Sequence, residues 1–480
     1  MAPYLGKSKK LRWRRFLNRL TGCVQLAAAV AGLGIASCGN ASNETIGGGA
    51  LPLGSSRVSH QSAGTIQHVV IVVQENRSFD DLFATFPGAS GATQGLMRTA
   101  SGSDTEVTLK EVNLSEGCDF GHGYKGFLRN YDGGKMDGFG LAGNKCSGNH
   151  TAAYQYVNPS QIAPYWTLAQ QYVLADNAFQ TQGSGSFTAH QDLIAGGTTF
   201  NEAKALTLVD YPTASPWGCD APAGTVTSKL RWTGERLVYR YNGGPFPCMT
   251  YPTLRDLLDA KSVSWKYYSP PVMGSTGALW NAFDAIKAVR YSSEWHTNVT
   301  KSEKQIFADV SAHALPAVSW VIPDRANSDH PASSSDTGPS WVASIVDAIG
   351  ESSYYWPNTA IVIVWDDWGG FYDNVPPPLT DQAGGLGFRV PMIVVSAYPP
   401  KSKSSHSYIS HTRYEFGSIL KFVENTFGLG RLGTTDVRAN SIADCFDFSQ
   451  SPHAFQPIGS KYSKEFFERQ RPSYAPVDGE

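Results

Sequence analysis

The stretch "VVIVVQENRSFDD", residues 69–81, constrains this chain most. A run of β-branched apolar residues with no polar alternation reads as a strand covered on both faces. It runs straight into a glutamate, an asparagine, an arginine and two aspartates. A second such run, "AIVIVW" at 360–365, ends in Asp366 and Asp367. Shorter apolar runs lie at 318–322 and 390–395, and helical spacing appears at 164–179, 253–261, 341–350 and 413–427. Short continuous strands alternating with helices predict an α/β fold: a mostly parallel central sheet with helices on both faces. In such sheets, ligand groups gather beyond the carboxyl ends of the strands. If the two long runs are neighbours, Glu75, Asn76, Asp366 and Asp367 meet at one edge. Three carboxylates there repel unless they are protonated or share a cation, and hard oxygen donors suit a divalent metal ion. Either pair alone could equally be a helix cap or a solvated turn.

The 480 residues carry a net charge of -2, with 41% hydrophobic and 17% charged residues, an ordinary globular mix. Basic residues form no stripe beyond residue 20, which argues against a nucleic-acid partner. That basic start, including Arg14 and Arg15 in "WRRFL", is followed by a small-residue apolar stretch, the pattern of an export signal. "IASC" has the form of a lipobox that would make Cys38 a lipidated first residue; a plain signal cut a little later is the alternative. The expected organisation is a signal at 1–38, a flexible tether at 39–64, one domain at 65–450 and a wrapping tail at 451–480. Export to the periplasm, cell surface or medium, with a membrane anchor at Cys38, follows from it. Gly- and Pro-rich stretches at 95–160 and 200–250 read as insertions with small hairpins. Cys118 and Cys146 bracket one loop, and Cys219 and Cys248 another. In an exported chain these pairs are expected to form disulfides, with Cys445 left as a buried thiol.

"QTQGSGSFTAHQDLIAGGT" offers a hydroxyl: Ser186 opens an apolar helical stretch after a bend-prone turn. A serine there needs a base or a metal to become a nucleophile. A merely flexible loop is the other reading of the same residues.

Taken together, the motifs resemble the bacterial phosphoesterase family of non-specific phospholipases C and acid phosphatases. "HVVIVVQENRSFDDLF" is similar to its opening motif. "DFGHGYKGFLRNYDGGKMDGF", "VSWVIPDRANSDHPA", "AIVIVWDDWGGFYDNVPPP" and "ISHTRYEFGSILKFVENTFGL" follow in the family's order, from about residue 65 to 448. The resemblance implies an alkaline-phosphatase-like core and one divalent metal ion held by Glu75, Asn76, Asp366, Asp367 and Ser186. It also implies phosphate-ester hydrolysis through a serine phospho-enzyme. Ser186 aligns with the nucleophile, with Ser184 as the fallback, and His122 and His330 with the catalytic histidines. His190 and His411 are expected to contact the substrate, a small phosphate ester or a phospholipid head group. The family commonly shows Asp-Glu where Asp366-Asp367 stand. Its G-P-[ST]-x-P-N-R loop is replaced here by "GSGSFTAHQ", so both prolines and the arginine are gone. A surface lipoprotein that binds phosphorylated ligands without turnover is the rival expectation.

Overall fold

The structure is a computed structural model; it describes residues 65–471 apart from 100, 142–148, 273–279, 379–380, 382 and 402–407. The signal, the tether, Cys38 and Cys146 therefore lie outside the described residues.

Seven strands build the central sheet: β1 His68–Gln74, β2 Val173–Ala175, β3 Trp265–Tyr268, β4 Val318–Val321, β5 Thr359–Trp365, β6 Met392–Ser396 and β7 Tyr408–Ser410. Their order is β3-β4-β1-β5-β6-β2-β7. All pairings are parallel except those of β6, which runs against both β5 and β2. The fold class expected from the sequence is the one observed. The two long apolar runs are adjacent, and their register pairs Gln74 with Trp365. Both are buried almost throughout because helices cover both faces. On one face Tyr165 of α1, Ala163–Gln171, packs edge-on against Trp365. On the other the indole N–H of Trp320 donates to the carbonyl of Leu193 in α2, Ser186–Ala195. Trp320 pairs with Ile71, three residues before Gln74, so the two tryptophans point to opposite sides. Helix α3, Gly338–Gly350, packs with α1, and α4, Phe416–Phe427, packs with α2.

Two helices are shorter than their spacing predicts. The stretch expected as a helix over 164–179 stops at Gln171; Val173–Ala175 is β2, paired on both sides, and Ala178–Phe179 pairs with Tyr414–Glu415. That second pairing also delays α4 to Phe416, where Glu415 and Ser418 form a reciprocal cap. Apolar residues at helical spacing also satisfy a short buried strand, and only the sheet partners decide between them.

The insertions carry the expected hairpins. Gln94–Arg98 pairs with Asp104–Thr108, and a four-stranded antiparallel sheet comprises Thr199–Asn201, Leu206–Val209, Ser228–Trp232 and Leu237–Arg240. They join the core through a second apolar cluster that includes Phe120, Tyr124, Phe127, Leu230, Trp368, Phe371 and Phe388. Trp368 and Phe371 lie just after Asp367, so this seam holds the acidic turn in place. Cys219 and Cys248 form a disulfide, Cys118 is disulfide-bonded, and Cys445 is a buried free thiol. In the last segment, Phe467 is buried against Trp341 and Gln470 accepts from Asn327. No helix among the described residues is long and apolar enough to cross a membrane.

Candidate metal and nucleophile site

The last residue of β1 and the three polar residues that follow it each have a separate task. Gln74 ties the histidine loop to the sheet: its amide donates to the Asn327 carbonyl, and its oxygen accepts from the Asp329 N–H. Glu75 faces α2. Asn76 adopts a left-handed conformation, φ 53°, which asparagine tolerates better than most residues. Its N–H donates to Asp366 Oδ1 at 2.9 Å. Arg77 is buried; it bonds Asp81 and the carbonyls of Asp329 and Leu114, and stacks over Phe371. Gly369 has to be a glycine here, since a Cβ would lie 2.3 Å from the Asn76 carbonyl oxygen.

Two groupings meet at this edge. In the first, one ligand atom each from Glu75, His190 and Asp366 lies within 4.8 Å of the others, and all three residues are buried. His190 Nε2 is 2.9 Å from Glu75 Oε1 and 3.7 Å from Asp366 Oδ2. Burial, then the neighbouring Asp366, Asp367 and Asp329, push the Glu75 carboxyl well above its usual range. Burial lowers His190 to about 4, against the pull of Asp366, so its imidazole is neutral at pH 7. Neutral imidazole is the metal-binding form. Glu75 Oε2, Asn76 Oδ1 and Asp366 Oδ2 are buried and have no hydrogen-bond partner. Oxygens left bare in this way are costly unless a cation takes them, and the donor set fits a divalent ion.

The second grouping surrounds Ser186 at the first position of α2. Its Oγ donates to Asp367 Oδ2 at 3.2 Å. The Asn76 amide nitrogen donates toward Asp367 Oδ2 at 3.4 Å and the serine oxygen at 3.5 Å, and lies 2.7 Å from His122 Nε2. Asp367 can only accept when ionised, which fixes the amide nitrogen on this side and turns Asn76 Oδ1 away. His122 Nδ1 sits 2.7 Å from the Phe120 carbonyl, an obligate acceptor, so that nitrogen carries the hydrogen and Nε2 accepts from Asn76. The His330 ring lies 6.4 Å from that of His122 and 6.0 Å from Trp280. Every residue of both groupings is at most 2% exposed.

The structure thus brings together Glu75, Asn76, Asp366, Asp367, Ser186, His122 and His330. It divides the expected ligand set, however. Asp367 and Ser186 bond each other, and His190, expected to touch substrate, sits among the ligand atoms instead. Ser186 and His190 are one helical turn apart on α2, and that i, i+4 spacing is the signal that could have revealed it. His411 stands apart: its side chain is 65% exposed and pairs with Asp176 beyond β2. Ser184 has a structural bond, accepting from the Asp210 N–H at 2.9 Å.

A hydroxyl held against a carboxylate thus lies beside a buried cluster of two carboxylates and an imidazole. A family model described as the Phosphoesterase family matches residues 66–430, and the chain belongs to that family. The non-hemolytic phospholipase C of Pseudomonas aeruginosa is 25% identical over 427 residues, covering 77% of this chain and 55% of its own length. Phospholipase C B of Mycobacterium tuberculosis is 25% identical over 452 residues, covering 82% of this chain and 80% of its own. The chain thus spans little more than half of the Pseudomonas relative. A solved protein of the alkaline phosphatase superfamily from Vibrio parahaemolyticus aligns over 78% of this chain and 70% of its own at 11% identity. Its TM-score of 0.35 carries no weight for fold or function.

Proposed function

We propose that this protein hydrolyses phosphoric esters through Ser186, with a divalent cation at Glu75, His190 and Asp366. The observation that carries the reading is the Ser186 Oγ–Asp367 Oδ2 hydrogen bond beside three orphaned buried oxygens. The relatives named phospholipase C support the same class of ester. When bound, the cation would offset the crowded carboxylates and the charge of the phosphate.

The chain's own groups carry the steps. Asp367 Oδ2 takes the proton as Ser186 Oγ attacks phosphorus, and the bond from phosphorus to the leaving oxygen breaks. A protonated His330 gives its proton to the departing alcohol, while His122 stays bonded to Asn76 and the Phe120 carbonyl. His330, now neutral, takes a proton from water, which attacks the phosphoserine. Phosphate leaves, and Asp367 returns its proton to Ser186. Positioning and charge compensation are the main demands of phosphoryl transfer, and a buried, fixed site meets both. Export with a lipid anchor at Cys38 would set this site near a membrane surface; the reading of the first 38 residues supports it.

The test is turnover of p-nitrophenyl phosphate and p-nitrophenyl phosphorylcholine with and without EDTA. Activity that EDTA removes, that a divalent metal restores, and that falls by at least about a thousandfold in Ser186→Ala is expected. No turnover of either ester with any divalent metal would leave a binding protein in its place.

A further inference from the structure

The backbone N–H of Ser186 opens α2 and would normally seek an anion or water. Here it donates to the phenol oxygen of Tyr211 at 3.1 Å. The contact is closely built: a Cβ on Gly185 would lie 2.0 Å from that phenol oxygen, so the glycine before the serine makes room for the tyrosine. The Tyr211 ring stands edge-on to His122 at 6.0 Å and packs on Trp217 at 5.0 Å. Trp217 in turn is edge-on to Phe187, the residue after the serine, and it is followed within two residues by the Cys219–Cys248 disulfide.

The residue before Tyr211 anchors it from behind. Asp210 is left-handed, φ 64°, and its carboxylate accepts from the Tyr124 N–H and the Tyr239 hydroxyl, both at 2.5 Å. Its own N–H donates to Ser184 Oγ, and its carbonyl accepts from Thr188. The antiparallel insertion, the loop after His122 and the nucleophile turn are thus fastened at one residue, which aims the next side chain at Ser186.

We propose that Tyr211 binds the phosphoryl group and selects phosphomonoesters, an inference that rests on the functional reading above. A phenol that accepts from a helix-start N–H is polarised toward donating its own hydrogen. It lies where a phosphoryl oxygen approaching Ser186 would arrive. His330, Tyr211 and the cation of the functional reading would then meet three oxygens of one phosphorus, while His122 keeps its two nitrogens on the Phe120 carbonyl and Asn76. A monoester presents three non-bridging oxygens and a diester only two, so the third contact rewards the monoester. The enclosure fits, since Ser186 is only 2% exposed.

The experiment compares Tyr211→Phe, which keeps the ring packing, with Tyr156→Phe, which removes a hydroxyl bond to Glu111 outside the Asp210 network. In Tyr211→Phe, kcat/KM for p-nitrophenyl phosphate is expected to fall ten- to a hundredfold. The fall for p-nitrophenyl phosphorylcholine should stay below about threefold, and vanadate should bind about tenfold more weakly by calorimetry. Tyr156→Phe should change neither the ester ratio nor vanadate binding. Equal losses on both esters, the same losses in Tyr156→Phe, or a wild-type preference for the diester would overturn the inference. If the wild type turns over neither ester, the functional reading fails by itself. Vanadate affinity then decides the subsite: weaker binding in Tyr211→Phe upholds it, and equal or absent binding overturns it.

Discussion

Two buried acidic regions lie within a few residues of each other along the chain, and they are built on opposite plans. Asp80 and Asp373 share Arg389. That guanidinium bonds Asp373 at 2.9 and 3.1 Å, Asp80 at 3.3 Å, and the carbonyls of Ser90 and Asp176. The remaining capacity of the two acids is used as well, with Asp80 accepting from Ala92 and Asn374 and Asp373 from Val375. In the cluster of Glu75, Asp366 and His190 no arginine enters among the described residues, and three neighbouring oxygens have no hydrogen-bond partner there. A fold that invests so many donors in one acidic region and withholds them from another marks the second for a ligand. A satisfied buried ion network serves structure; an unsatisfied one costs stability and is kept for function.

Replacing Arg389 by methionine should break the first region with the largest effect. It leaves two buried carboxylates uncompensated, and a loss of about 3–5 kcal/mol is expected in urea unfolding at pH 7. A third buried acid sharpens the comparison. Burial, reinforced by Asp324, holds the Glu303 carboxyl up at about 7. The unfolded chain ionises near 4.5 while the folded one still holds its proton, so stability falls as pH rises from about 4.5 to 7 and levels off above. Glu303→Gln should flatten that slope and recover on the order of 3 kcal/mol above pH 7, read from unfolding midpoints across the window.

Metal should act on the second region alone. Divalent cation at about a hundred times its Kd should stabilise the protein by about 3 kcal/mol, and EDTA should remove the effect. In Asp366→Asn the metal-dependent shift should vanish, while the metal-free protein melts no lower than the wild type. A metal shift that survives Asp366→Asn would break the comparison. The smallest effect is expected in His190→Asn, which shortens the reach of one ligand; metal affinity should fall about ten- to a hundredfold by titration calorimetry, with stability in EDTA nearly unchanged.

Much of this was legible in the residues. Unbroken β-branched runs demand a two-sided cover, so residues 69–73 and 360–365 announce interior parallel strands, and the acids at their ends announce an edge where a ligand sits. The serine that opens α2 was less readable, because a Gly-Ser stretch reads locally as a flexible loop, and only the order of the motifs around it singled it out. Several features were not legible. Val173–Ala175 has the same apolar spacing as the helix before it, and it became β2 only because β6 and β7 offered hydrogen bonds on both sides. His411 has a motif around it, yet the position of β7 carries it to Asp176.

The sequence by itself determined the class of fold and set an acidic pair at the end of each long strand, because periodicity and strand chemistry are local properties. Only the tertiary structure decided that His190 joins Glu75 and Asp366, that Asp367 turns to Ser186, and that Tyr211 from a distant insertion reaches the start of α2. Those choices depend on distances between segments far apart in the chain, which no local pattern encodes.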